Sequence, residues 1–188
     1  GAGIIHIDAD LENMSLRTSA FADSIVVSTM PVAGLTNVNG NGGTDTLKGP
    51  DASQIWNITN TNAGTVGAVA FSNVENLNGG SGDDDFRLAN GKGVTGVIDG
   101  GSGLNSLTYS AYTTAVSVNL QTKAATNVLG GWNQIDVFVG GQANDQIISP
   151  NSPNIWSIDG LNQGSIATMA LGNLGFKSFQ NLIGGTSS

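Results

Sequence analysis

The chain has one histidine, His6, and no cysteine among its 188 residues. A Ser-His-Asp triad, or a zinc held by imidazole or thiolate, therefore has almost no material. His6 is flanked by Ile4, Ile5 and Ile7 and reads as a strand residue facing solvent. The chemistry that remains is acidic: 14 Asp and Glu stand against six Lys and Arg, for a net charge of −8. Nucleic acid is excluded as an expected partner, because phosphate contacts need clustered cations. No glycine-rich segment ends in Gly-Lys-Ser or Gly-Lys-Thr, so no phosphate loop is expected. Asp8, Asp10 and Glu12 alternate with Ala9 and Leu11 and would share one face of a strand. They read as a solvated edge before they read as a cation site. The other acids sit in glycine-rich turns. Gly80 and Gly82 precede Asp83, Asp84 and Asp85, and Asp45 and Asp145 stand in similar surroundings. Turn-borne carboxylates of this kind suit cations better than catalysis. The basic residues Arg17, Lys48, Arg87, Lys92, Lys123 and Lys177 show no common phase. A groove of converging acids and bases, as a polysaccharide lyase or hydrolase needs, is therefore not expected. Trp56 and Trp156 could stack on sugar rings, and so could Tyr109 and Tyr112. The repeat equivalence of the two tryptophans favours packing instead.

That equivalence comes from an internal repeat. Leu47 to Ile58 matches Ile147 to Ile158 at an offset of 100 (147 − 47), including Pro50/Pro150, Ile55/Ile155, Trp56/Trp156 and Ile58/Ile158. The match resumes at Phe71 to Gly80 against Phe176 to Gly185, where an insertion near residue 172 has raised the offset to 105 (176 − 71). A shorter period lies inside it. Apolar residues recur at Val38, Ile58, Leu77, Ile98, Val118, Phe138, Ile158 and Leu182, about every 20 residues. A second, less complete row stands nine residues later at Leu47, Phe86, Leu107 and Ile147. Glycine is frequent, with 28 residues, and charged residues make up only 11%, so uninterrupted helical faces are not expected. A coil of about 20 residues cannot bury its apolar side alone, and stacking such coils makes a continuous core. The expected fold is all-β: a right-handed parallel β-helix (β-solenoid) with about 20 residues per coil. Residues 35–188 are expected to form the solenoid repeats. Residues 1–34 break the pattern and are expected to be irregular coils or a cap, with a short helix possible over Leu11 to Ala20. No apolar run reaches membrane-span length.

The corners between coils have their own pattern. Gly79-Gly80-Ser81-Gly82-Asp83-Asp84-Asp85-Phe86-Arg87 resembles the calcium-binding nonapeptide G-G-x-G-x-D-x-U-x of the RTX (haemolysin-type) proteins. The resemblance implies that glycine-turn carbonyls and the Asp84 carboxylate hold calcium, with Asp45 and Asp145 at the equivalent place in weaker copies. Asn105 replaces the aspartate in another copy, and Ala143 replaces a glycine. Those proteins carry the motif in tandem, whereas here the copies are separated, so plain structural turns are the competing expectation. The larger pattern, from Pro50 through Ile55-Trp56-Asn57-Ile58 to Asn119-Leu120, resembles repeats of large bacterial surface adhesins of the haemagglutinin-like and haemolysin-type groups. It implies export and a place at the cell surface or in extracellular matrix.

The expected function is thus a structural or adhesive segment of a repetitive extracellular fibre. Its partners would be itself, end to end in filaments or beside further repeats of a longer chain, and a surface polysaccharide. No catalytic activity is expected. The alternative is a carbohydrate-binding or carbohydrate-active β-helix protein.

Overall fold

The computed structural model describes residues 4–7, 14–29 and 35–186. Among these residues every regular element is a β-strand and none is helical. The protein is all-β, as its composition implies. Most strands are only a few residues long, for a reason visible in their sequences. In Thr46-Leu47-Lys48, Ser106-Leu107-Thr108 and Val137-Phe138-Val139 the central side chain is buried and its neighbours are half-exposed. Side chains alternate across a strand, so three residues suffice to plant one apolar group. A glycine or a turn then redirects the chain.

The strands in chain order are β1 (Ile4–Ile7), β2 (Met14–Arg17), β3 (Ser24–Val27), β4 (Leu35–Asn39), β5 (Thr46–Lys48), β6 (Ile55–Asn60), β7 (Ala63–Val66), β8 (Val69–Ser72), β9 (Asn76–Asn78), β10 (Asp85–Leu88) and β11 (Ile98–Asp99). They continue as β12 (Ser106–Thr108), β13 (Ser117–Asn119), β14 (Ala124–Ala125), β15 (Trp132–Asn133), β16 (Val137–Val139), β17 (Gln146–Ile148), β18 (Asn154–Gly160), β19 (Gln163–Thr168), β20 (Gly172–Lys177) and β21 (Asn181–Ile183). They form three sheets. A six-stranded sheet has the order β1-β3-β5-β9-β11-β15, and an 11-stranded sheet the order β18-β19-β20-β16-β12-β10-β6-β7-β8-β4-β2. A four-stranded sheet follows the order β14-β13-β17-β21. The chain alternates between the large sheet and the other two, so strands that pair are seldom neighbours in sequence. Most of these pairs are parallel and in register.

The registers set side chains of like kind above one another. Trp56, Phe86, Leu107, Phe138 and Phe176 form one buried column in the large sheet. Ile25, Leu47, Leu77, Ile98 and Trp132 form another in the six-stranded sheet. Phe86 stacks on Trp56 with ring centroids 5.4 Å apart. Both columns belong to one continuous apolar core.

Two parts of the sequence pattern need correction. Val38, Ile58, Leu77, Ile98, Val118, Phe138, Ile158 and Leu182 do not make a single column. Val38, Ile58, Phe138 and Ile158 belong to the large sheet, Leu77 and Ile98 to the six-stranded one, and Val118 and Leu182 to the four-stranded one. The physical reason is insertion. Strands β6 to β8, and again β18 to β20, are antiparallel meanders that add length to a layer and move the 20-residue period onto the opposite sheet. Their tight turns place Asn62 and Asn162 at a φ of 57°, a left-handed conformation that asparagine tolerates better than most residues. These two meanders are the 100-residue repeat seen in the sequence. The second correction concerns the short helix allowed over Leu11 to Ala20. β1, β2 and β3 pair with β3, β4 and β5 respectively, so they are layers of the same sheets, and Met14 to Arg17 is a strand and not a helix.

Candidate functional site: the glycine corners

The glycine corners separate strands of opposite sheets, and their conformations explain the glycines. Gly80 and Gly82 have φ of 97° and 116°, and Gly101 and Gly103 of 77° and 105°. A Cβ on Gly80 would also stand 2.7 Å from the Pro50 carbonyl oxygen, so both the backbone and the space demand glycine there.

The polar residue at the sixth place of each corner is buried, and its hydrogen bonds run between layers. The Asp84 carboxylate accepts the backbone N–H of Gln54 at 3.0 Å through Oδ1. The N–H of Asp84 donates to Asn105 Oδ1 at 3.0 Å, and the N–H of Asn105 donates to Asp136 Oδ2 at 2.8 Å. Gln54, Asp84, Asn105 and Asp136 therefore form an unbroken ladder, each at or just before the start of a strand of the large sheet. The same device appears twice more. Asp45 Oδ1 accepts the N–H of Asp23 at 2.8 Å, and the N–H of Asp45 donates to Glu75 Oε2 at 2.9 Å. Asp145 Oδ1 accepts the N–H of Val116 at 2.7 Å, and the N–H of Asp145 donates to Gln180 Oε1 at 2.7 Å. A strand that starts at a corner leaves a backbone N–H without a ladder partner, and burying it unpaired would be costly. The side chain of the next layer supplies the acceptor.

The sequence pointed to Asp45, Asp84 and Asp145 and noted Asn105, and the structure gives all of them this one role. Glu75, Asp136 and Gln180 were missed as members. A signal for two of them was present, because Glu75 and Gln180 occupy matching positions of the 105-residue offset. Asp136 carried no such signal.

Asp83 and Asp85 do not join Asp84 around a common centre. Asp83 Oδ1 accepts the N–H of Leu104 at 2.8 Å. Asp85 Oδ1 accepts from the Ser106 and Thr108 hydroxyls at 2.9 and 2.7 Å, and its Oδ2 pairs with Arg87 at 2.6 Å. Among the described residues no group of three or more Asp, Glu or His side chains is gathered as metal ligands. One oxygen, Asp84 Oδ2, is buried without a partner, as is Asp45 Oδ2. Calcium takes about six to eight oxygens. At the Asp84 corner one carboxylate oxygen is unengaged, and the remaining ligands implied by the nonapeptide resemblance would be backbone carbonyls of the glycine turn.

Burial sets the charge state of these acids. Asp84 has its pKa pushed up to about 6, chiefly by desolvation, with the Gln54 N–H opposing the rise and Asp83 adding to it. The Trp56 indole N–H lies close enough to favour the carboxylate but is outside hydrogen-bond geometry. Asp45 is also raised, first by burial, with Glu75 and Asp23 adding repulsion against the Asp23 N–H bond.

The aromatic candidates face inward. Trp56, Tyr109 and Tyr112 are buried, and the two tyrosine rings meet edge to face at 5.0 Å. Tyr109 donates its hydroxyl to the Thr126 carbonyl at 2.8 Å, and Tyr112 donates to the Lys92 carbonyl while accepting from Asn127. Trp156 is half-buried against Phe176. His6 lies in β1. Asp8, Asp10 and Glu12 lie outside the described residues. No family model, curated protein or solved structure matches the chain.

Proposed function

We propose that the chain is a structural segment of a repetitive extracellular fibre, built as a right-handed parallel β-helix. The observation that carries this reading is the repeated corner bond. Asp45 to Glu75 and Asp145 to Gln180 make the same contact at matching positions of the long repeat. Acids used twice in one way to join layers serve stacking, and repetition lengthens a stack without creating a unique cleft. Parallel pairing of alternate strands supports the β-helix, and its right hand follows the usual preference of parallel crossovers. A place at a bacterial surface or in matrix rests on the adhesin resemblance alone.

The carbohydrate reading gains little support, since Trp56, Tyr109 and Tyr112 keep their ring faces in the core. The test is binding and turnover together. The chain is incubated with a panel of surface polysaccharides, and bound sugar and released reducing ends are measured, while antibodies locate it on source cells. The structural reading expects surface labelling with no turnover. Cleavage of any polysaccharide by the purified chain would sink it.

A further inference from the structure

We propose that the groove between the β13–β14 turn and the β19–β20 hairpin binds an acidic sugar, a uronate residue of a polysaccharide, with Lys123 receiving its carboxylate. The proposal adds a ligand to the structural reading above and does not rest on it. The groove arises where the chain departs from its own repeat. The five residues by which the offset grows (105 − 100) lengthen one hairpin. In the first copy Val66 pairs with Val69 at the turn. In the second, the equivalent pair of Ile166 and Leu174 is followed by Ala167 with Asn173 and Thr168 with Gly172, so the tip at Met169 to Leu171 projects further. The second departure is at residues 120–131. There the six-stranded sheet ends at β15, and the four-stranded sheet begins with β14 folded back antiparallel on β13. The hairpin tip meets this seam. A cavity of 440 Å³ is lined there by Leu120, Gln121, Lys123, Pro150, Ser152 and Leu171. A second, of 150 Å³, shares Lys123, Ala170 and Leu171 with it and adds Trp132 and Asp136. β13, β17 and β20, which frame the groove, each have a neighbouring strand on both sides, so it does not depend on an uncovered edge.

The groove is rich in donors. The turn fixes Lys123 at a φ of 55°, and its carbonyl accepts the Trp132 N–H at 3.1 Å. The Lys123 ammonium donates to the neutral Asn133 Oδ1 at 3.0 Å and lies 5.9 Å from the centre of the Trp132 ring. Among the described residues the ion pairs are Lys48 with Asp51 and Arg87 with Asp85, so Lys123 has no carboxylate partner. A half-buried cation without a counter-charge favours an anionic ligand. The Trp132 indole N–H is buried and has no acceptor. Trp56, whose N–H is also unbonded, has Asp84 close by, whereas Trp132 lines the smaller cavity. Gln121 engages its Oε1 with the Asn151 N–H at 2.8 Å, which leaves its Nε2 to donate. The acceptor of the site is Asp136: its Oδ2 takes the Asn105 N–H, and its Oδ1 is left for a hydroxyl. Asp136 disfavours a bare anion, while a hydroxylated carboxylate satisfies both it and Lys123. Leu120, Pro150 and Leu171 supply the apolar surface that the C–H face of a sugar ring needs. The larger cavity falls within the range of ligand clefts, about 300–1,000 Å³.

Calorimetric titration of the intact chain with galacturonate and mannuronate tetramers tests this, alongside nitrogen–proton NMR of the tryptophan indoles and circular dichroism melts as the check on folding. At least one tetramer is expected to bind at a single site, and the Trp132 indole resonance is expected to move while that of Trp56 stays. Reducing the carboxylates of the tetramer to alcohols is expected to weaken binding by about tenfold or more, the loss of one charge-assisted contact. Lys123→Gln is expected to do the same. Ala170→Trp, at an exposed position shared by both cavities, fills the groove and is expected to abolish binding with an unchanged melt. Failure of both tetramers to bind overturns the proposal, as does equal binding of the reduced tetramer or of a tetraglutamate peptide. Binding that survives both Lys123→Gln and Ala170→Trp also overturns it, because the sugar then sits elsewhere. None of these failures touches the structural reading, which falls only to polysaccharide turnover.

Discussion

Asp84 and Asn105 hold the same place in successive layers, and the comparison shows what a buried carboxylate costs there. Asn105 accepts through Oδ1 and donates through Nδ2 to the Gln134 carbonyl at 3.1 Å. The corresponding atom of Asp84, Oδ2, has nothing to donate. It is buried without a hydrogen-bond partner. Desolvation of the ionised acid accords with a pKa raised from 3.8 to about 6. A carboxyl with a raised native pKa is penalised when ionised. Its contribution to stability is therefore most favourable below pH 3.8 and is lost as pH climbs from there to about 6. The penalty above pH 6 is at most on the order of 3 kcal/mol. Asp84→Asn should raise the melting temperature at pH 7 and leave it little changed at pH 4, as melts across that range would show. Added calcium should leave the wild-type melting temperature unmoved. A calcium-dependent rise that Asp84→Asn removes would instead return this corner to the ion-binding role implied by its nonapeptide.

At the scale of elements, equivalent residues have unequal worth because their layers are unequally covered. Trp56 lies between Phe71 and Phe86, with centroids 6.1 and 5.4 Å away, whereas Trp156 has Phe176 alone at 5.7 Å. Trp56→Ala should cost about 3 to 5 kcal/mol, the range for truncating a buried aromatic. Trp156→Ala in the single chain should cost less than half as much, and urea melts at low protein concentration would compare the two. Equal costs would mean that β18 is covered in solution. The sequence displayed the meanders as a 100-residue match and the strand cores as apolar residues between polar neighbours. It did not display which sheet each core residue joins. The nine-residue step across a glycine corner, as from Leu77 to Phe86, carries the chain from one sheet to another, and an inserted meander then shifts the phase. Spacing alone treats Val38 and Leu77 as one row, but pairing sets Val38 opposite Phe71 and Leu77 opposite Leu47. The corner residues were legible because glycine and aspartate mark a turn by themselves. Their partners Glu75, Asp136 and Gln180 lie 30, 31 and 35 residues away along the chain, a separation that only the stacking defines.

For the whole molecule, stability should be graded along the stack. In the stacked coil proposed above each layer would touch only its neighbours, so opening could start at an end without involving the middle. In the middle, Leu77, Phe86, Ile98 and Leu107 are buried, and β9 to β12 have a paired strand on either side. The asparagine and aspartate bonds through Asp84, Asn105 and Asp136 also tie these layers together. Towards the C-terminal end, Ile158 and Leu182 keep solvent contact, and among the described residues β18 and β21 are paired on one side only. Amide hydrogen exchange should therefore be slowest in β9 to β12 and β16, and faster by about tenfold or more in β18 and β21, since each 1.4 kcal/mol of opening free energy is a factor of ten. Uniform exchange would mean that the chain opens as a single cooperative unit and that its layers are not independent in the way a stack requires.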